Sequence, residues 1–564
     1  MPTRADVVIV GMGAVGGLMS KELASAGLEV VGLERGAMPE FEDYAFKDSI
    51  RAFARRQFEE RSRNEPILSR AGKGAPTRAT YPSTPGNVVG GGLLSWTGSA
   101  SRFSPGDFKV RTNEVLSGVA EKAGANLDGY DVPDWPIDYD DLEPYYEKFE
   151  YEMGVSGKAG QNPFAGPRKR DYPVPPIRQS ARSQLFEEAA RKLGYHPYQA
   201  TTGILSQAYQ PAPPYDARIP ERPGCVYCAQ CNFYGCHVGA KTSTNFTTLP
   251  VALETGNLDL RTHCKVFQVN VNDAGRVTGV SYFDADGNVV EQEASVVILG
   301  GYLYEHTRLL LLSKTASGMF KGGLANTSGM VGKYIMAHGD FNVRGLFDDS
   351  IMNGFIGPNG GTRIDDFYGN NFDHTGLGFI RGGPIGTGGG GTPLERYDNI
   401  PPGWPRWGDR YKDNLAHYYT RAADMTIPPE MLPHQDNVIE LDPTRKDAWG
   451  IPLPRVTFTF HENEKRMGPF LGGIGEKIMK EMGASHVWTR ASWQPTRTVG
   501  GTRMGADPKT SVVNGYCQSH DVDNLFMVGS SVFPTMTGYA ATPTVAALAY
   551  RASDYIIKNW SSFA

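Results

Sequence analysis

The clearest pattern of apolar and polar residues lies at the start of the chain. Ala5–Val10 is an almost unbroken apolar run, and apolar residues then recur at helical spacing from Val15 to Leu23. A second apolar run follows within Glu29–Glu34. Continuous apolar runs are typical of buried parallel strands, and a spacing of three to four residues is typical of a helix that packs on a sheet. The pattern predicts a strand–helix–strand unit of about thirty residues.

Two kinds of strand pattern occur further along the chain. Val296–Leu299 is another continuous apolar run and leads into a helical pattern from Glu305. Polar and apolar residues alternate in Asn342–Phe347 and Arg455–Phe460, which predicts an antiparallel sheet. The end of the chain returns to the first pattern, with a strand and a final helix. We therefore predict an α/β protein in which a Rossmann-like lobe is interleaved with an α+β lobe that contains an antiparallel sheet.

The size and charge of the chain limit its class. Its 564 residues exceed the roughly 250–300 at which a single core stops growing, so two lobes are expected. A formal net charge of -5 gives no electrostatic reason to expect nucleic acid or an anionic membrane as a partner. No segment has the roughly 18 apolar residues of a membrane span, and no secretory signal precedes the first strand. We expect a cytoplasmic chain, with export beside a signal-bearing partner as the alternative.

A glycine motif joins the first strand to the first helix. In Gly11-x-Gly13-x-x-Gly16 the first glycine makes the tight turn, the second lets a pyrophosphate approach the backbone, and the third lets helix and strand pack closely. The pyrophosphate then lies at the helix N-terminus. Glu34 ends the second strand, where its carboxylate is placed to bind the ribose hydroxyls. The motif predicts a dinucleotide site without choosing between FAD and NAD.

Further segments resemble one family. A glycine-rich loop occupies Asn87–Thr97, and the end of the chain carries the tracts GGTRMG at 500–505 and TPT at 542–544. With Tyr304–Ser313 and Val331–Tyr334, these segments resemble, in content and order, the motifs of the GMC (glucose–methanol–choline) oxidoreductases. Within that family the chain is most similar to the bacterial gluconate-2-dehydrogenase-like flavoproteins, with pyranose oxidase as a more distant relative.

This resemblance implies that the dinucleotide is FAD. In pyranose oxidase the second glycine loop carries a histidine bonded covalently to the flavin, and the matching position here is Ser95. A serine hydroxyl cannot form that bond, so we predict FAD that is held non-covalently. The residues expected to bind FAD are Gly11, Gly13, Gly16, Glu34, Gly91, Ser95, Trp96, Val266, Thr542 and Thr544.

The resemblance also implies a division of the chain and an activity. The FAD-binding lobe is expected to take residues 1–100, 225–330 and 500–564, and the substrate-binding lobe residues 101–224 and 331–499. The expected reaction is oxidation of a secondary alcohol of a sugar, glycoside or similar polyol by hydride transfer to the flavin. O2, a quinone and a partner protein all stay open as the electron acceptor.

The two positions that supply the family's catalytic base are altered. GMC enzymes resemble one another in carrying a histidine ahead of the GTxxMG-like segment and a histidine or asparagine on the C-terminal loop. The matching positions here are Arg497 and Ala540. Alanine has no polar group, and arginine stays protonated, so neither can act as the base. Tyr539, beside the altered loop position, and His338, in a segment similar to one near the flavin in relatives, are the remaining candidates.

Arg497 has two interpretations. A fixed guanidinium can bind an anionic substrate or stabilise negative charge on an alkoxide or on reduced flavin. The alternative is a structural ion pair, with His338 as a buried, hydrogen-bonded histidine. Because both template residues are replaced, a non-oxidative lyase or isomerase and a catalytically silent flavoprotein are alternatives to the oxidoreductase.

Four of the six cysteines form a dense run: Cys225, Cys228, Cys231 and Cys236. Zinc sites usually separate their cysteine pairs by ~12–20 residues, which makes zinc the poorest fit. The run differs from the ferredoxin spacing by one extra residue and by His237 in place of proline. Some dehydrogenases of the family carry an iron–sulfur cluster in a similar place. An iron–sulfur cluster and a set of buried free thiols both stay open.

Overall fold

The computed structural model describes residues 4–40, 65–80, 86–231, 234–314, 318–352, 354–358, 361–388, 391 and 400–563. Within these residues the strands, numbered in chain order, are β1 (Arg4–Val10), β2 (Val30–Leu33), β3 (Ile67–Arg70), β4 (Arg78–Thr80), β5 (Tyr198–Gln199), β6 (Leu258–Arg261), β7 (Lys265–Val271), β8 (Val277–Phe283), β9 (Val289–Leu299), β10 (Met336–His338), β11 (Phe341–Leu346), β12 (Thr362–Ile364), β13 (Ile385–Thr387), β14 (Ala422–Ile427), β15 (Val438–Lys446), β16 (Pro452–Thr457), β17 (His486–Ala491), β18 (Thr496–Val499) and β19 (Leu525–Met527). The α-helices are α1 (Ala14–Ser25), α2 (Val119–Ala123), α3 (Tyr139–Met153), α4 (Ala181–Lys192), α5 (Thr248–Glu254), α6 (Leu303–Leu312), α7 (Gly408–Arg421), α8 (Glu462–Glu481) and α9 (Thr542–Lys558).

A sheet with seven strands in the described part of the chain holds the N-terminal motif. Its order is β6-β2-β1-β9-β8-β7, and β19 also pairs with β9. β1 runs parallel to both of its neighbours, with Val7 opposite Val30 on one side and Val296 on the other. α1 connects β1 to β2, so the predicted strand–helix–strand unit is confirmed. The carboxyl ends of these parallel strands lie at one edge, where α/β sheets bind ligands.

A second, antiparallel sheet has six strands among the described residues, in the order β17-β11-β14-β13-β12-β5. Successive side chains on a strand point to opposite faces. On one face, Val343 and Met425 pack with apolar residues of α8 such as Leu471. On the other face lie the polar neighbours Asn342 and Thr426, which line a cavity. The prediction is therefore confirmed for Asn342–Phe347, and one face of this sheet is open to a ligand. Arg455–Phe460 instead contributes to β16 in a separate sheet, of four strands among the described residues, where β16 pairs antiparallel with β15 and parallel with β3.

A short antiparallel ladder joins β10 to β18. Met336 pairs with Val499 and His338 with Thr496, with a register shift between the two pairs. Arg497 follows Thr496 in a left-handed backbone conformation (φ 51°), which is uncommon for a residue other than glycine. The ladder thereby brings together two residues that lie 159 positions apart in the sequence, His338 and Arg497.

The helices confirm one sequence expectation. The predicted final helix is α9, most of whose residues are buried. The proline-rich stretch 160–224 contains α4, where Phe186 and Ala190 are buried against the antiparallel sheet. The prolines of this stretch fall outside α4, whose sequence ARSQLFEEAARK is helix-compatible. Among the helices in the described ranges, none is both long and apolar enough to cross a membrane. The proposed lobe boundaries stay a prediction.

Candidate active site

Residues from both large sheets and from the β10–β18 ladder line a cavity of about 780 Å³. This volume is within the range of sites for small molecules and cofactors. The seven-stranded sheet contributes the glycine motif and Glu34. The antiparallel sheet contributes what we call the polar wall, which consists of Asn342, Arg344, Arg363, Thr387, Asp424 and Thr426. A dinucleotide motif and a polar surface therefore share one cavity.

The glycines let two backbone segments approach closely. A Cβ atom at position 13 would lie 3.7 Å from the Cα atom of Gly91, and one at position 91 would lie 3.0 Å from the Cα atom of Gly13. Gly11, at φ +94°, faces Gly301 at a distance that leaves no room for a side chain. These three predicted residues line the cavity, beside the N-terminus of α1. Gly16 does not line it, because it packs against the carbonyl of Gly11, as expected of the third glycine.

Glu34 lies at the end of β2 and lines the same cavity. Its two carboxylate oxygens accept the backbone N–H groups of Met12 and Gly36, both at 2.9 Å. Burial raises the pKa of this carboxyl group above its usual value, and the backbone bonds and the charge of Arg35 offset only part of that rise. The backbone therefore holds this carboxyl group in place at the edge of the cavity.

The other predicted cofactor residues divide into two groups. Ser95, Trp96, Val266 and Thr542 line the cavity. The Trp96 indole N–H donates to the carbonyl of Thr242 at 2.9 Å, which fixes the second glycine loop. Thr544 does not line the cavity, because its hydroxyl is fully buried against the hydroxyl of Tyr146 at 2.8 Å. Their roles toward FAD stay predictions, and for Thr544 only an indirect role is compatible with its position.

Arg497 forms a two-point ion pair beside the polar wall. Its guanidinium donates to both carboxylate oxygens of Asp340, with N–O distances of 2.9 and 3.2 Å. The same side chain donates to the hydroxyl of Thr496 at 3.0 Å and approaches the Nδ1 atom of His338 at 3.3 Å. Arg497, Asp340 and His338 all line the cavity. The charge of Arg497 is therefore balanced by a carboxylate, and its position is fixed.

His338 is buried with a defined pair of ring contacts. Its Nε2 atom lies 2.6 Å from the carbonyl of Thr537. A carbonyl can only accept, so Nε2 carries the hydrogen and the lone pair of Nδ1 accepts from Arg497 at 3.3 Å. Burial, and then the charge of Arg497, lower the pKa of His338 to about 3. The imidazole is therefore neutral near pH 7, with its acceptor atom beside Arg497.

Tyr539 and Ala540 point to different surroundings although they are neighbours. Ala540 lines the cavity. Tyr539 is absent from the residues that line it, and its hydroxyl donates to a buried carboxylate oxygen of Asp365 at 2.6 Å. Its ring stacks on Tyr368, and burial raises its pKa well above the usual value. The position of Tyr539 does not support the prediction that it is a base in direct contact with substrate.

The polar wall and Asp340 were missed by the sequence analysis. Arg344 lies 3.4 Å from a carboxylate oxygen of Asp424 on the neighbouring strand. Thr426 lies next to Asn342 across the same pair of strands. The signal was present, since Asn342-Val-Arg344 and Asp424-Met-Thr426 place polar residues on one face of a strand. The sequence pattern did not specify that this polar face borders the cavity.

The four cysteines of the run are all described, and none of them forms a disulfide bond. Cys231 is buried, and the other three cysteines of the run are partly buried. Burial raises the pKa of Cys225 to about 12 and also raises that of Cys228, which favours thiols over thiolates. In the described residues, which exclude 232 and 233, no group of three or more His, Cys, Asp or Glu side chains is placed to hold a metal ion. The structure thus gives no support to an iron–sulfur cluster here.

Models of the GMC oxidoreductase family match residues 131–338 and 433–549. The gluconate 2-dehydrogenase flavoprotein of Pantoea cypripedii is 33% identical to this chain, over 99% of this chain and 94% of that protein. The 2-methyl-1,2-propanediol dehydrogenase of Mycolicibacterium austroafricanum is 28% identical, over 99% and 96% of the two chains. The protein belongs to the GMC oxidoreductase family, and the resemblance inferred from the motifs is confirmed.

Solved structures share the fold. The pyridoxine 4-oxidase from Mesorbium loti superposes with a TM-score of 0.63 at 16% sequence identity, over 98% of this chain and 99% of that one. A formate oxidase from Aspergillus oryzae gives a TM-score of 0.63 at 14% identity. The predicted GMC fold is therefore confirmed.

The family and the cavity agree on the cofactor and on the type of protein. GMC oxidoreductases bind FAD, and the close approach of Gly13 and Gly91, the N-terminus of α1 and the fixed carboxylate of Glu34 fit a dinucleotide. The protein is an FAD-dependent alcohol oxidoreductase, as predicted. The relatives are named as dehydrogenases and oxidases, so they give no support to a lyase, an isomerase or a silent flavoprotein.

Proposed function

We propose that the protein oxidises a secondary alcohol of a sugar, glycoside or similar polyol, with FAD held non-covalently. The observation that carries this proposal is that one cavity joins the glycine motif to His338, Arg497 and the polar wall. The polar wall is rich in donors and acceptors, which suits a ligand with several hydroxyl groups. An apolar alcohol would leave those groups without partners, at a cost of about 1–3 kcal/mol each.

The names of the relatives support a substrate that carries hydroxyl groups. Beside the gluconate and 2-methyl-1,2-propanediol dehydrogenases, the chain is 26% identical to the fructose dehydrogenase large subunit of Gluconobacter japonicus and to the paromamine 6′-oxidase of Streptomyces fradiae. These names describe a sugar, a sugar acid, a diol and an aminoglycoside, all of which carry hydroxyl groups. They include both dehydrogenases and oxidases, so O2, a quinone and a partner protein all stay candidates for the acceptor.

The proposed cofactor contacts use the residues that line the cavity. Gly11 and Gly13 would admit the pyrophosphate to the N-terminus of α1, and Glu34 would accept from the ribose hydroxyls. Ser95 lines the cavity at the position where a relative carries its flavin-linked histidine, and its hydroxyl leaves FAD unlinked. When bound, FAD supplies the acceptor for the hydride that leaves the carbinol carbon.

We propose that His338 accepts the proton of the substrate hydroxyl group. Its Nε2 hydrogen is donated to the carbonyl of Thr537, so Nδ1 is the atom that can accept, and the substrate hydroxyl would replace Arg497 as the donor to it. As the C–H bond breaks and the C=O bond forms, the hydroxyl proton would pass to Nδ1. The imidazolium that results would lie beside Arg497, which opposes its charge, and near Asp340, which favours it.

We propose that Arg497 stabilises the negative charge that develops on the substrate oxygen. An N–H group of Arg497 lies 3.3 Å from Nδ1 of His338, so an oxygen that binds Nδ1 would also be within reach of the guanidinium. The two-point pair with Asp340 fixes the guanidinium in advance, which is what electrostatic stabilisation of a transition state requires. A purely structural ion pair is the alternative interpretation.

Anaerobic mixing of the FAD-bound protein with sugars, glycosides and alditols tests the proposal. We expect at least one of these polyols to bleach the visible absorbance of the flavin, and His338→Gln to slow the bleaching by at least about 100-fold. His374→Gln is the matched control, because His374 is also buried, also places Nε2 on a carbonyl and does not line the cavity. Flavin that stays oxidised with every polyol would contradict the proposed activity. If the flavin of the His338→Gln variant bleaches at the normal rate, His338 does not accept the substrate proton.

A further inference from the structure

Arg363 differs from the other arginines around the polar wall. Arg497 pairs with Asp340, and Arg344 lies 3.4 Å from a carboxylate oxygen of Asp424. Arg363 lines the same cavity, yet no carboxylate of the described residues lies within 4 Å of its guanidinium. Its two terminal nitrogens donate only to hydroxyl groups there, to Ser99 at 3.0 Å and to Ser101 at 3.4 Å.

The fold holds this side chain in place. Arg363 is the middle residue of β12, where it pairs with Tyr198 of β5 and Gly386 of β13. A Cβ atom at position 386 would lie 2.5 Å from Cγ of Arg363, so the glycine leaves the space that the arginine stem occupies. The serine hydroxyls then orient the head. A guanidinium has five N–H groups. Among the described residues, the two serine hydroxyls are the hydrogen-bond acceptors of Arg363, so further N–H groups remain to bind a ligand.

The charges around the cavity point to an anion. The polar wall, the ladder and Asp340, which follows β10, contribute the cations Arg344, Arg363 and Arg497 and the anions Asp340 and Asp424. His338 adds no charge, because burial lowers its pKa to about 3. Among the described lining residues of this part of the cavity, the cations therefore outnumber the anions by one.

A neighbouring carboxylate does not occupy the guanidinium. Asp365 lies two residues beyond Arg363 but is fully buried and is not among the residues that line the cavity. One of its oxygens accepts the hydroxyls of Tyr198 and Tyr539 and the amide of Asn162. Its charge acts on Arg363 through space, whereas the hydrogen-bonding capacity of Arg363 stays available on the cavity side.

We propose that Arg363 binds a carboxylate of the substrate, so that the natural substrate is a polyhydroxy acid rather than a neutral polyol. An arginine and a carboxylate form charge-assisted hydrogen bonds, often two in parallel, and these are stronger than bonds between neutral groups. In a partly buried cavity they would fix the orientation of the substrate as well as its affinity. The inference rests on the proposed function and names its substrate class.

Matched pairs of acid and alditol test this inference. The FAD-bound protein is titrated anaerobically with D-gluconate and with D-sorbitol, and with D-galactonate and galactitol, by calorimetry and by flavin reduction. We expect at least one acid to bind more tightly than its alditol. Arg363→Gln should weaken binding of that acid by about 10- to 100-fold. It should weaken binding of the alditol by a clearly smaller factor, because glutamine can still donate to a hydroxyl group. Arg363→Lys should restore part of the affinity, since it keeps the charge but loses the planar fork.

The outcomes separate this inference from the proposed function. If alditols bleach the flavin while both acids bind no better than the alditols, the carboxylate site is wrong and alcohol oxidation stands. If an acid binds through Arg363 but no compound bleaches the flavin, the site stands and the proposed oxidation is wrong. An equal loss for acid and alditol in Arg363→Gln, with normal FAD content and melting temperature, would assign Arg363 to general packing. If the variant fails to fold, the comparison of acid with alditol binding by the unsubstituted protein still tests whether the cavity prefers an acid.

Discussion

Replacing Arg497 by alanine separates the catalytic from the structural interpretation of that residue. The substitution removes the two-point pair with Asp340 and the contact with Nδ1 of His338. If Arg497 stabilises the developing alkoxide, the rate of flavin reduction should fall by about 10- to 1000-fold, the scale for loss of one preorganised electrostatic donor. FAD content should stay unchanged, because none of the three partners of Arg497, which are Asp340, Thr496 and His338, belongs to the glycine motif.

The cost in stability is expected to be small. The Arg497 and Asp340 side chains are 37% and 17% exposed to solvent, so their ion pair contributes at most about 1 kcal/mol to the free energy of unfolding. A chain of 564 residues has an unfolding entropy of roughly 1.2 kcal/mol per degree, so the melting temperature should fall by about 1 °C. A large kinetic loss with a small thermal shift would therefore identify a catalytic role.

The pH profile gives a second measurement on the same variant. The charge of Arg497 is one of two causes that lower the pKa of His338, and burial is the larger. Without Arg497 the pKa of His338 should rise, so the acid limb of the reduction profile should move to higher pH. Stopped-flow reduction across a pH series measures both the rate and the limb.

A matched control completes this design. Arg455 also makes ion pairs with two carboxylates, those of Glu440 and Asp442, but it does not line the cavity. Arg455→Ala should leave the rate and its pH profile unchanged. Near-normal reduction by Arg497→Ala, with an unmoved acid limb, would refute the catalytic interpretation and assign Arg497 to a structural pair.

Three further predictions concern the cofactor and acid stability. Glu34→Ala should weaken FAD binding by roughly 1–3 kcal/mol, measured by flavin fluorescence, whereas Glu29→Ala on the exposed end of the same segment should not. Heat or acid denaturation should release free FAD into the supernatant, since Ser95 cannot form a histidyl bond; flavin that precipitates with the protein would contradict this. Burial lowers the pKa of His306 to about 4, below its unfolded value near 6.5, so the folded state binds this proton more weakly. The contribution of His306 to the free energy of unfolding should therefore be fully present above pH 6.5 and fall by about 3 kcal/mol as the pH approaches 4. His306→Gln should make the free energy of unfolding, measured by denaturant titration, depend less on pH in this range.

The parts of the fold that depend on local sequence could be predicted. The apolar runs of β1 and β2 and the glycine motif between them specify a strand–helix–strand unit through neighbours in the chain. The alternation around Asn342 specified a strand with a polar face, although not what that face borders. Strand type and periodicity are encoded within a few residues, which is why these predictions succeeded.

The assembly of the candidate site depends on long-range pairing. His338 and Arg497 meet because β10 pairs with β18, and no local pattern specifies that register. The same limit explains Tyr539, which adjoins Ala540 in sequence but turns away from the cavity to Asp365. Neighbouring residues in a loop can face opposite environments, so adjacency to a catalytic position did not establish a catalytic side chain.

The central claim is that this cavity couples loss of a substrate hydride to reduction of FAD. The most direct measurement is a single turnover without O2, in which the best polyol from the screen is mixed with the FAD-bound protein and both the bleached flavin and the carbonyl product are quantified. We predict one carbonyl group formed for each flavin bleached. A product that accumulates while the flavin stays oxidised, or bleaching without a carbonyl product, would contradict the account.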